Sequence, residues 1–220
     1  SGLYLNGSGE LVQGNRIGTD STGTSAIPNG IGVTATGSTG ILLGGTAAGA
    51  GNLISGNSNP GVQVSSAPAM LIQGNRIGTQ ADGVSPLPNL GPGIDLLSST
   101  HSNVIGGTGA GQGNVVAHNG VGVRIGINNY YNSVRGNSIR SNTGKGIVTS
   151  DNQFNTAFAP LINGVSPVAG TACPGCMGGG YPRDGMSGVS LHRSGSLLHG
   201  ADVAASALRP LDAPLVPSEG

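Results

Sequence analysis

The chain contains the stretch Val12-Gln13-Gly14-Asn15-Arg16-Ile17-Gly18-Thr19, which returns sixty residues later as Ile72-Gln73-Gly74-Asn75-Arg76-Ile77-Gly78-Thr79. A second pair, Leu43-Gly44-Gly45-Thr46 and Ile105-Gly106-Gly107-Thr108, has almost the same separation. A fixed period of this kind indicates a solenoid, in which each repeat packs mainly on its two neighbours. The repeat therefore has to be explained before any function is considered.

Short apolar segments recur between the two copies, separated by glycine and asparagine. The segments expected to begin each coil are Leu3-Tyr4-Leu5, Ile31-Gly32-Val33, Val62-Gln63-Val64, Ile94-Asp95-Leu96, Val121-Gly122-Val123 and Ile147-Val148-Thr149. Their alternation places one side chain inside and its neighbour outside, as in a β-strand. Glycine and asparagine tolerate the left-handed backbone of tight corners, and asparagines repeated at one corner can stack as amide ladders. The pattern predicts an all-β chain that coils with three short strands per turn.

The signatures G-N-x-I-G-T-D-x-x-G and N-x-I-G-G-T are matched by Gly14–Asp20, Gly74–Thr79 and Asn103–Thr108. These segments resemble the repeats of large bacterial secreted or surface proteins in the pectate-lyase-like superfamily. The resemblance covers residues 2 to about 150, and it departs from the signature at Gln80, where the first copy has Asp20. It implies a right-handed parallel β-helix of about five coils, located outside the cell or on its surface. It says little about function, because one scaffold can host unrelated activities.

The composition excludes several classes of partner. Charged residues are 8% of the 220 residues and the formal net charge is zero, so no basic patch is available to neutralise the phosphates of a nucleic acid. No apolar run approaches the roughly 20 residues that span a bilayer. The 43 glycines come with 36% hydrophobic residues at regular spacing, which favours a packed core over disorder. The chain begins in mid-pattern, so we expect the rest of a larger parent chain as a partner. When residues 1–220 are isolated, we expect them either to associate or to fray at Ser1–Gly9.

Catalysis by a polysaccharide-cleaving enzyme would need carboxylates close together on neighbouring coils. Hydrolases use a pair separated by about 5–5.5 Å or about 6.5–9.5 Å, depending on the mechanism. Residues 1–151 contain only Glu10, Asp20, Asp82, Asp95 and Asp151. Asp95 alone is placed with confidence on a strand, so we predict no catalytic residue, no metal site and no cofactor.

Four residues are candidates for binding. Asp95 has Arg124 one coil later, expected two residues out of register, and the pair either contacts a sugar or partner or is an exposed ion pair worth about 0–1 kcal/mol. Tyr130 and Tyr131 form an aromatic pair that either stacks on a sugar or covers a corner.

Four other polar residues are expected to be structural. Asp20 and Asp82 lie in turn-like sequences, where one carboxylate per loop is too few for calcium. His118 replaces the glycine of the usual Gly-Asn corner, so a corner role is expected rather than a ligand role, and His101 is separate from it in the pattern.

The repeat pattern ends near Asp151. Residues 152–176 resemble the linker and first strand of the immunoglobulin-like β-domains that follow such repeats, and residues 177–220 are expected to be irregular or disordered. Cys173 and Cys176 are expected to form a disulfide, as is common in exported proteins. A pair of free thiols and a zinc or redox site remain the alternatives.

The sequence therefore predicts a non-catalytic structural or adhesive segment of a larger bacterial protein, with weak binding to polysaccharide or other cell-surface material. The alternative is a polysaccharide lyase or glycoside hydrolase of the pectate-lyase-like superfamily.

Overall fold

The computed structural model describes residues 1–149 and, beyond them, two short strands at Leu161–Asn163 and Ala169–Thr171. Residues 1–149 form five complete coils and the first strand of a sixth, and each complete coil contributes one strand to each of three parallel sheets. This part of the chain contains no helix, which also means that no described helix is long and apolar enough to cross a membrane. The predicted right-handed parallel β-helix is confirmed.

Each sheet contains strands of equivalent position in successive coils. The first sheet holds β1 (Leu3–Leu5), β4 (Val33–Thr36), β7 (Val62–Ser65), β10 (Pro92–Leu96), β13 (Val121–Ile125) and β16 (Ile147–Thr149). The second sheet holds β2 (Leu11–Val12), β5 (Leu42–Gly44), β8 (Leu71–Gln73), β11 (Val104–Gly106) and β14 (Ser133–Arg135). The third sheet holds β3 (Arg16–Ile17), β6 (Leu53–Ile54), β9 (Arg76–Ile77), β12 (Val115–Ala117) and β15 (Ser138–Arg140).

The pairing of the first sheet corrects two of the six predicted opening strands. Leu3 pairs with Val33, and Ile94 pairs with Val123, so the strands of coils 2 and 5 lie two residues later than expected. A shift of two residues keeps every side chain on the same face, so the alternation of apolar residues cannot detect it. Only contact with the neighbouring coils decides this register.

The core consists of stacked aliphatic rows that run along the solenoid. The second sheet contributes Val12, Leu43, Ile72, Ile105 and Val134, and the third contributes Ile17, Ile54, Ile77, Val116 and Ile139. Strands in neighbouring coils are about 4.8 Å apart, so each side chain packs directly on its equivalents above and below. Burial of these rows supplies the main driving force for folding.

Two corners are lined by asparagine ladders, as predicted. In the first ladder each side-chain Nδ2 donates to the Oδ1 of the next member at 2.8–3.1 Å, through Asn15, Asn52, Asn75, Asn114 and Asn137. In the second ladder the corresponding distances are 2.8–3.2 Å, through Asn29, Asn57, Asn89, Asn119 and Asn142. The ladders satisfy polar groups that would otherwise be buried without partners.

The last glycine of the duplicated stretch has a geometric explanation. Gly18 and Gly78 have φ angles of 88° and 87°, in the left-handed region. A Cβ atom at Gly78 would lie 2.0 Å from the carbonyl oxygen of Ala117, and one at Gly18 would lie 2.2 Å from that of Ser55. The next coil passes too close for any side chain, so the repeated glycine serves the stacking of coils.

Beyond residue 149 the described backbone is a two-stranded antiparallel pair, β17 (Leu161–Asn163) with β18 (Ala169–Thr171). Both strands fall in the segment predicted as a linker and the start of an immunoglobulin-like domain. The remainder of residues 152–176, including Cys173 and Cys176, and all of residues 177–220 lie outside the described residues, so the predictions for them stay predictions.

Candidate functional site

The outer face of the first sheet carries a column of mixed chemistry. In register from coil to coil, its members are Tyr4, Thr34, Gln63, Asp95, Arg124 and Val148. Asp95 therefore lies directly opposite Arg124, and the expected offset of two residues is wrong. The cause is the shifted register of β13, which also places Arg124 in the column in place of Gly122.

Asp95 and Arg124 form a bidentate ion pair. Arg124 Nε donates to Asp95 Oδ1 at 2.7 Å, and Nη2 donates to Oδ2 at 2.5 Å. The Asp95 side chain is fully buried, whereas 42% of the Arg124 side chain is exposed. Hydrogen bonding to Asp95 raises the pKa of Arg124 above its ordinary value, so the guanidinium stays charged. The pair is thus partly buried rather than solvated, and it joins β10 to β13 through both carboxylate oxygens.

Asp20 closes the loop of residues 19–29 on itself. Its Oδ1 accepts from the backbone N–H groups of Gly23 at 2.8 Å and Thr24 at 3.0 Å, and its Oδ2 accepts from the Thr22 hydroxyl at 2.8 Å. The hydrogen bond from Thr22 is the main cause of a lowered pKa at Asp20, with the backbone hydrogen bonds adding to it. These contacts confirm the predicted turn role.

Asp82 likewise closes the loop of residues 79–89 on itself. In the repeat, however, its position corresponds to that of Thr22 and not to that of Asp20. Its Oδ1 accepts from the N–H groups of Val84 at 2.8 Å and Ser85 at 2.9 Å. Its pKa is lowered, first by the Ser85 side chain and then by these backbone groups. Moving the carboxylate two residues along compensates for the loss of aspartate at Gln80, so the two loops keep the same turn.

The two loops stack into one ridge although they are two coils apart. The N–H of Ala81 donates to the carbonyl of Gly23 at 3.0 Å, and Arg140 Nη2 donates to the carbonyl of Gly83 at 2.6 Å. His118 lies at a corner with a φ of 63°, as its predicted corner role requires, and its Nε2 is 3.0 Å from the carbonyl of Val84. That nitrogen must carry the proton, because a carbonyl oxygen can only accept.

An aromatic cluster of three residues lies at the corner between the first and second sheets. The rings of His101 and Tyr130 stack with centroids 4.9 Å apart and planes 4° apart, and Tyr131 meets Tyr130 edge-on at 5.4 Å. Tyr130 and Tyr131 are 45% and 58% exposed. The sequence predicted the tyrosine pair but not the third ring. The signal was present, because His101 precedes Tyr130 by the same 29 residues that separate Asp95 from Arg124.

The outer face of the second sheet carries an aliphatic column that the sequence analysis did not consider. Its members, in register, are Leu11, Leu42, Leu71 and Val104, and we call them the aliphatic stripe. Leu11 is 62% exposed and Leu71 is 40% exposed. The signal in the sequence is two adjacent apolar residues in each strand, one of which must face outward.

Comparisons of the chain with protein-family models, with curated proteins and with solved structures found no match. Among residues 1–149, no three histidine, cysteine, aspartate or glutamate side chains are grouped closely enough to hold a metal ion. What the protein does must therefore be inferred from the surfaces of the solenoid.

Proposed function

We propose that residues 1–149 are a non-catalytic structural and adhesive segment of a larger secreted or cell-surface bacterial protein. The segment belongs, in this proposal, to the pectate-lyase-like superfamily and binds carbohydrate weakly. The observation that carries the proposal is the engagement of all three described aspartates in structural contacts. Asp20 and Asp82 bind the backbone of their own loops, and both oxygens of Asp95 are bound by Arg124.

Cleavage of a polysaccharide would require a different arrangement. A hydrolase needs two carboxylates within about 10 Å on either side of the scissile bond. Glu10 lies just before β2 in the first coil and Asp95 lies in the fourth, so about three coil spacings of about 4.8 Å separate them. A lyase that used calcium would need six to eight oxygen ligands. Asp20 and Asp82 lie in loops that stack on each other, but each carboxylate accepts hydrogen bonds from the backbone of its own loop, which supports a structural role.

Carbohydrate binding is supported by the aromatic cluster. His101, Tyr130 and Tyr131 form a small aromatic platform in which both tyrosines are exposed. Aromatic rings bury the apolar faces of sugars while their polar atoms remain in contact with water. A single platform of this size predicts weak binding rather than tight recognition.

The activity part of the proposal is tested by incubating residues 1–220 with pectin, polygalacturonate and neutral glucans. The products are assayed for reducing ends and for unsaturated ends. We expect the protein to release no more reducing or unsaturated ends than a sample of the same protein that has been inactivated by heat. Release that is abolished by Asp95→Asn would overturn the proposal in favour of a lyase or hydrolase that uses the ion pair.

The adhesive part is tested by affinity electrophoresis through gels that contain each polysaccharide. We expect retarded migration in at least one of them. Unchanged migration in every gel would remove adhesion from the proposal.

A further inference from the structure

We infer that the aliphatic stripe and the aromatic cluster together form a docking face for an extended, uncharged polysaccharide that lies along the solenoid axis. The inference rests on the carbohydrate binding proposed above, and it assigns that binding to one face and one class of glycan. The two sets of residues come from different columns, and only the tyrosine pair of the aromatic cluster was predicted from the sequence.

The stripe is regular and outward-facing. Each of its members is followed by a residue buried in the core, as Leu71 is followed by Ile72, so alternation directs the stripe away from the core. The strands are in register at about 4.8 Å per coil, so four aliphatic side chains form a line about 14 Å long. Exposed apolar surface of this kind marks an interaction site more often than isolated apolar residues do.

The fold itself does not need this stripe. The outer column of the third sheet also contains one leucine, Leu53, which lies between Arg16 and Arg76. Leu53 is buried, and a Cβ at Gly23 in the ridge would lie only 2.6 Å from its side chain. The molecule thus covers an outward leucine on one face, whereas on another it leaves Leu11 and Leu71 exposed and the two other members of the stripe half-buried.

The face around the stripe is uncharged over the first four coils. The next outward column starts with Gln13, Gly44, Gln73 and Gly106, and the side-chain amides of both glutamines donate to glycine carbonyls, at 2.9 Å and 3.0 Å. The neighbouring carboxylate, Glu10, is half-buried and folds back over Gly7. Over these four coils an acidic polysaccharide would lose hydration without gaining an opposite charge, which disfavours it. The column reaches a cation only in the fifth coil, at Arg135, whose Nε already donates to the Ser133 hydroxyl at 2.6 Å. A neutral glycan loses less hydration free energy than a charged one when it binds to this face.

The aromatic cluster lies at the corner beside the far end of the stripe. His101 precedes Val104 by three residues, and Tyr130 precedes Ser133, the fifth member of the stripe column, by three. Tyr131 adopts a φ of 57°. The equivalent left-handed positions in the other four coils are occupied by Gly9, Gly40, Ala69 and Ser102.

The left-handed conformation of Tyr131 is unfavourable for a residue with a large side chain. The other four coils place smaller residues there, so the backbone of the corner does not require an aromatic ring. At Tyr131 the ring is 58% exposed and meets Tyr130 edge-on.

Neutral polysaccharide is the occupant that this chemistry fits. In an extended glycan the sugar rings expose flat apolar faces at regular intervals along the chain. A straight line of aliphatic side chains that ends in stacked rings buries such faces, and the polar edges stay in water.

The test uses the full chain of residues 1–220 and adsorption to microcrystalline cellulose and to chitin, with polygalacturonate gels for comparison. The test variant is Leu11→Thr/Leu71→Thr, with Tyr130→Ala as a second, because threonine keeps β-strand preference while removing apolar surface. The matched control is Ile27→Thr/Leu90→Thr, which removes two exposed aliphatic side chains outside the stripe. Circular dichroism verifies that each variant is folded.

We expect the wild type and the control to adsorb equally to at least one neutral polysaccharide and to migrate freely through polygalacturonate. Each test variant should bind about tenfold more weakly, because it removes apolar surface that the glycan would bury; a tenfold change corresponds to about 1.4 kcal/mol.

Three results would overturn the inference. If neutral polysaccharide is bound and the test variants bind as well as the wild type, the stripe is not the site, although the proposed carbohydrate binding stands. Preference for polygalacturonate would also exclude the stripe as the site and leave carbohydrate binding in place. If no polysaccharide is bound and sedimentation shows self-association that Leu11→Thr/Leu71→Thr removes, the occupant is a second copy of the chain, and carbohydrate binding fails as well.

Discussion

At the scale of single residues, the buried asparagines of the solenoid are engaged in hydrogen bonds between coils. The amide of Asn75 donates to Asn114 Oδ1 and to the carbonyl of Leu43, both at 2.9 Å, while its own Oδ1 accepts from Asn52 Nδ2 at 2.9 Å. Asn75 is buried, so none of these partners can be replaced by water. The ladders therefore carry specific hydrogen bonds, in addition to the amide stacking that the sequence predicted.

Asn75→Ala should lower the free energy of unfolding by at least about 2 kcal/mol, because it removes the oxygen that accepts from both the backbone N–H and the Nδ2 of buried Asn52. It also removes one of the two N–H donors to Asn114 Oδ1. The midpoint of urea unfolding measures the change. The matched control is Asn59→Ala at an exposed position, expected to change the free energy by less than about 0.5 kcal/mol. Equal effects at the two sites would show that the ladder adds nothing beyond its corner geometry.

Asp20 and Asp82 should make the stability of the two loops depend on pH in the acid range. Hydrogen bonds lower the pKa of both carboxyls below the ordinary value of 3.8. The stabilisation is therefore present above that value and is lost as the pH falls through the lower, folded-state pKa.

NMR titration of the two carboxyl groups measures these pKa values. Urea unfolding of Asp20→Asn/Asp82→Asn should show a weaker loss of stability between roughly pH 4 and pH 2 than the wild type, because amides do not titrate. Carboxyl pKa values at or above 3.8 would contradict the hydrogen-bonded turns.

At the scale of strands and corners, the duplicated stretch is explained by the close approach of successive coils. It consists of the end of one strand, a corner and the next strand, followed by a glycine over which the neighbouring coil passes. Isoleucine at positions 17 and 77 enters the core, and Arg16 and Arg76 face outward. The repetition thus reflects backbone geometry and packing, not two copies of a binding site.

Gly78→Ala should be among the most damaging single substitutions in the solenoid. Its Cβ would collide with the carbonyl of Ala117, and its φ of 87° is unfavourable for alanine, so we expect a loss of about 2–4 kcal/mol. Gly30→Ala is the matched control, since a Cβ at Gly30 meets no atom within 4 Å and the backbone there is not left-handed. Thermal unfolding of both variants gives the comparison, and a Gly78→Ala protein as stable as Gly30→Ala would refute the close approach.

At the scale of the whole molecule, stability is distributed along one dimension. Each strand of the first sheet pairs only with its neighbours, in the order β1-β4-β7-β10-β13-β16. The ridge is an exception, because Ala81 in the third coil bonds Gly23 in the first across the intervening coil. Surface features such as the aliphatic stripe exist only because several coils stack in register.

Hydrogen exchange of residues 1–220 should therefore show a gradient. Amides of β7 and β10, which have coils on both sides, should be the most protected, and those at the N-terminal edge, Leu3–Leu5, the least. Mass spectrometry of proteolysed samples resolves these segments. Uniform protection along all the described coils would indicate a single cooperative unit and would contradict the nearest-neighbour description.

Much of the fold could be predicted from the sequence, because the interactions that form it repeat from coil to coil. The three strands per coil, the asparagine ladders and the turn roles of Asp20 and Asp82 each have a local pattern. The direct pairing of Asp95 with Arg124 and of His101 with Tyr130 was missed. Corner lengths vary between coils, so the residues that face each other depend on how every preceding corner folds.

The sequence alone determined the solenoid, because a repeated pattern of apolar strands and glycine or asparagine corners can bury its core only by stacking on copies of itself. The tertiary structure decided the register of coils 2 and 5, the burial of Asp95, the third ring of the aromatic cluster and the outward line of aliphatic side chains. These features depend on contacts between coils. A two-residue shift is invisible to alternation along one strand, and it changes every contact across the sheet.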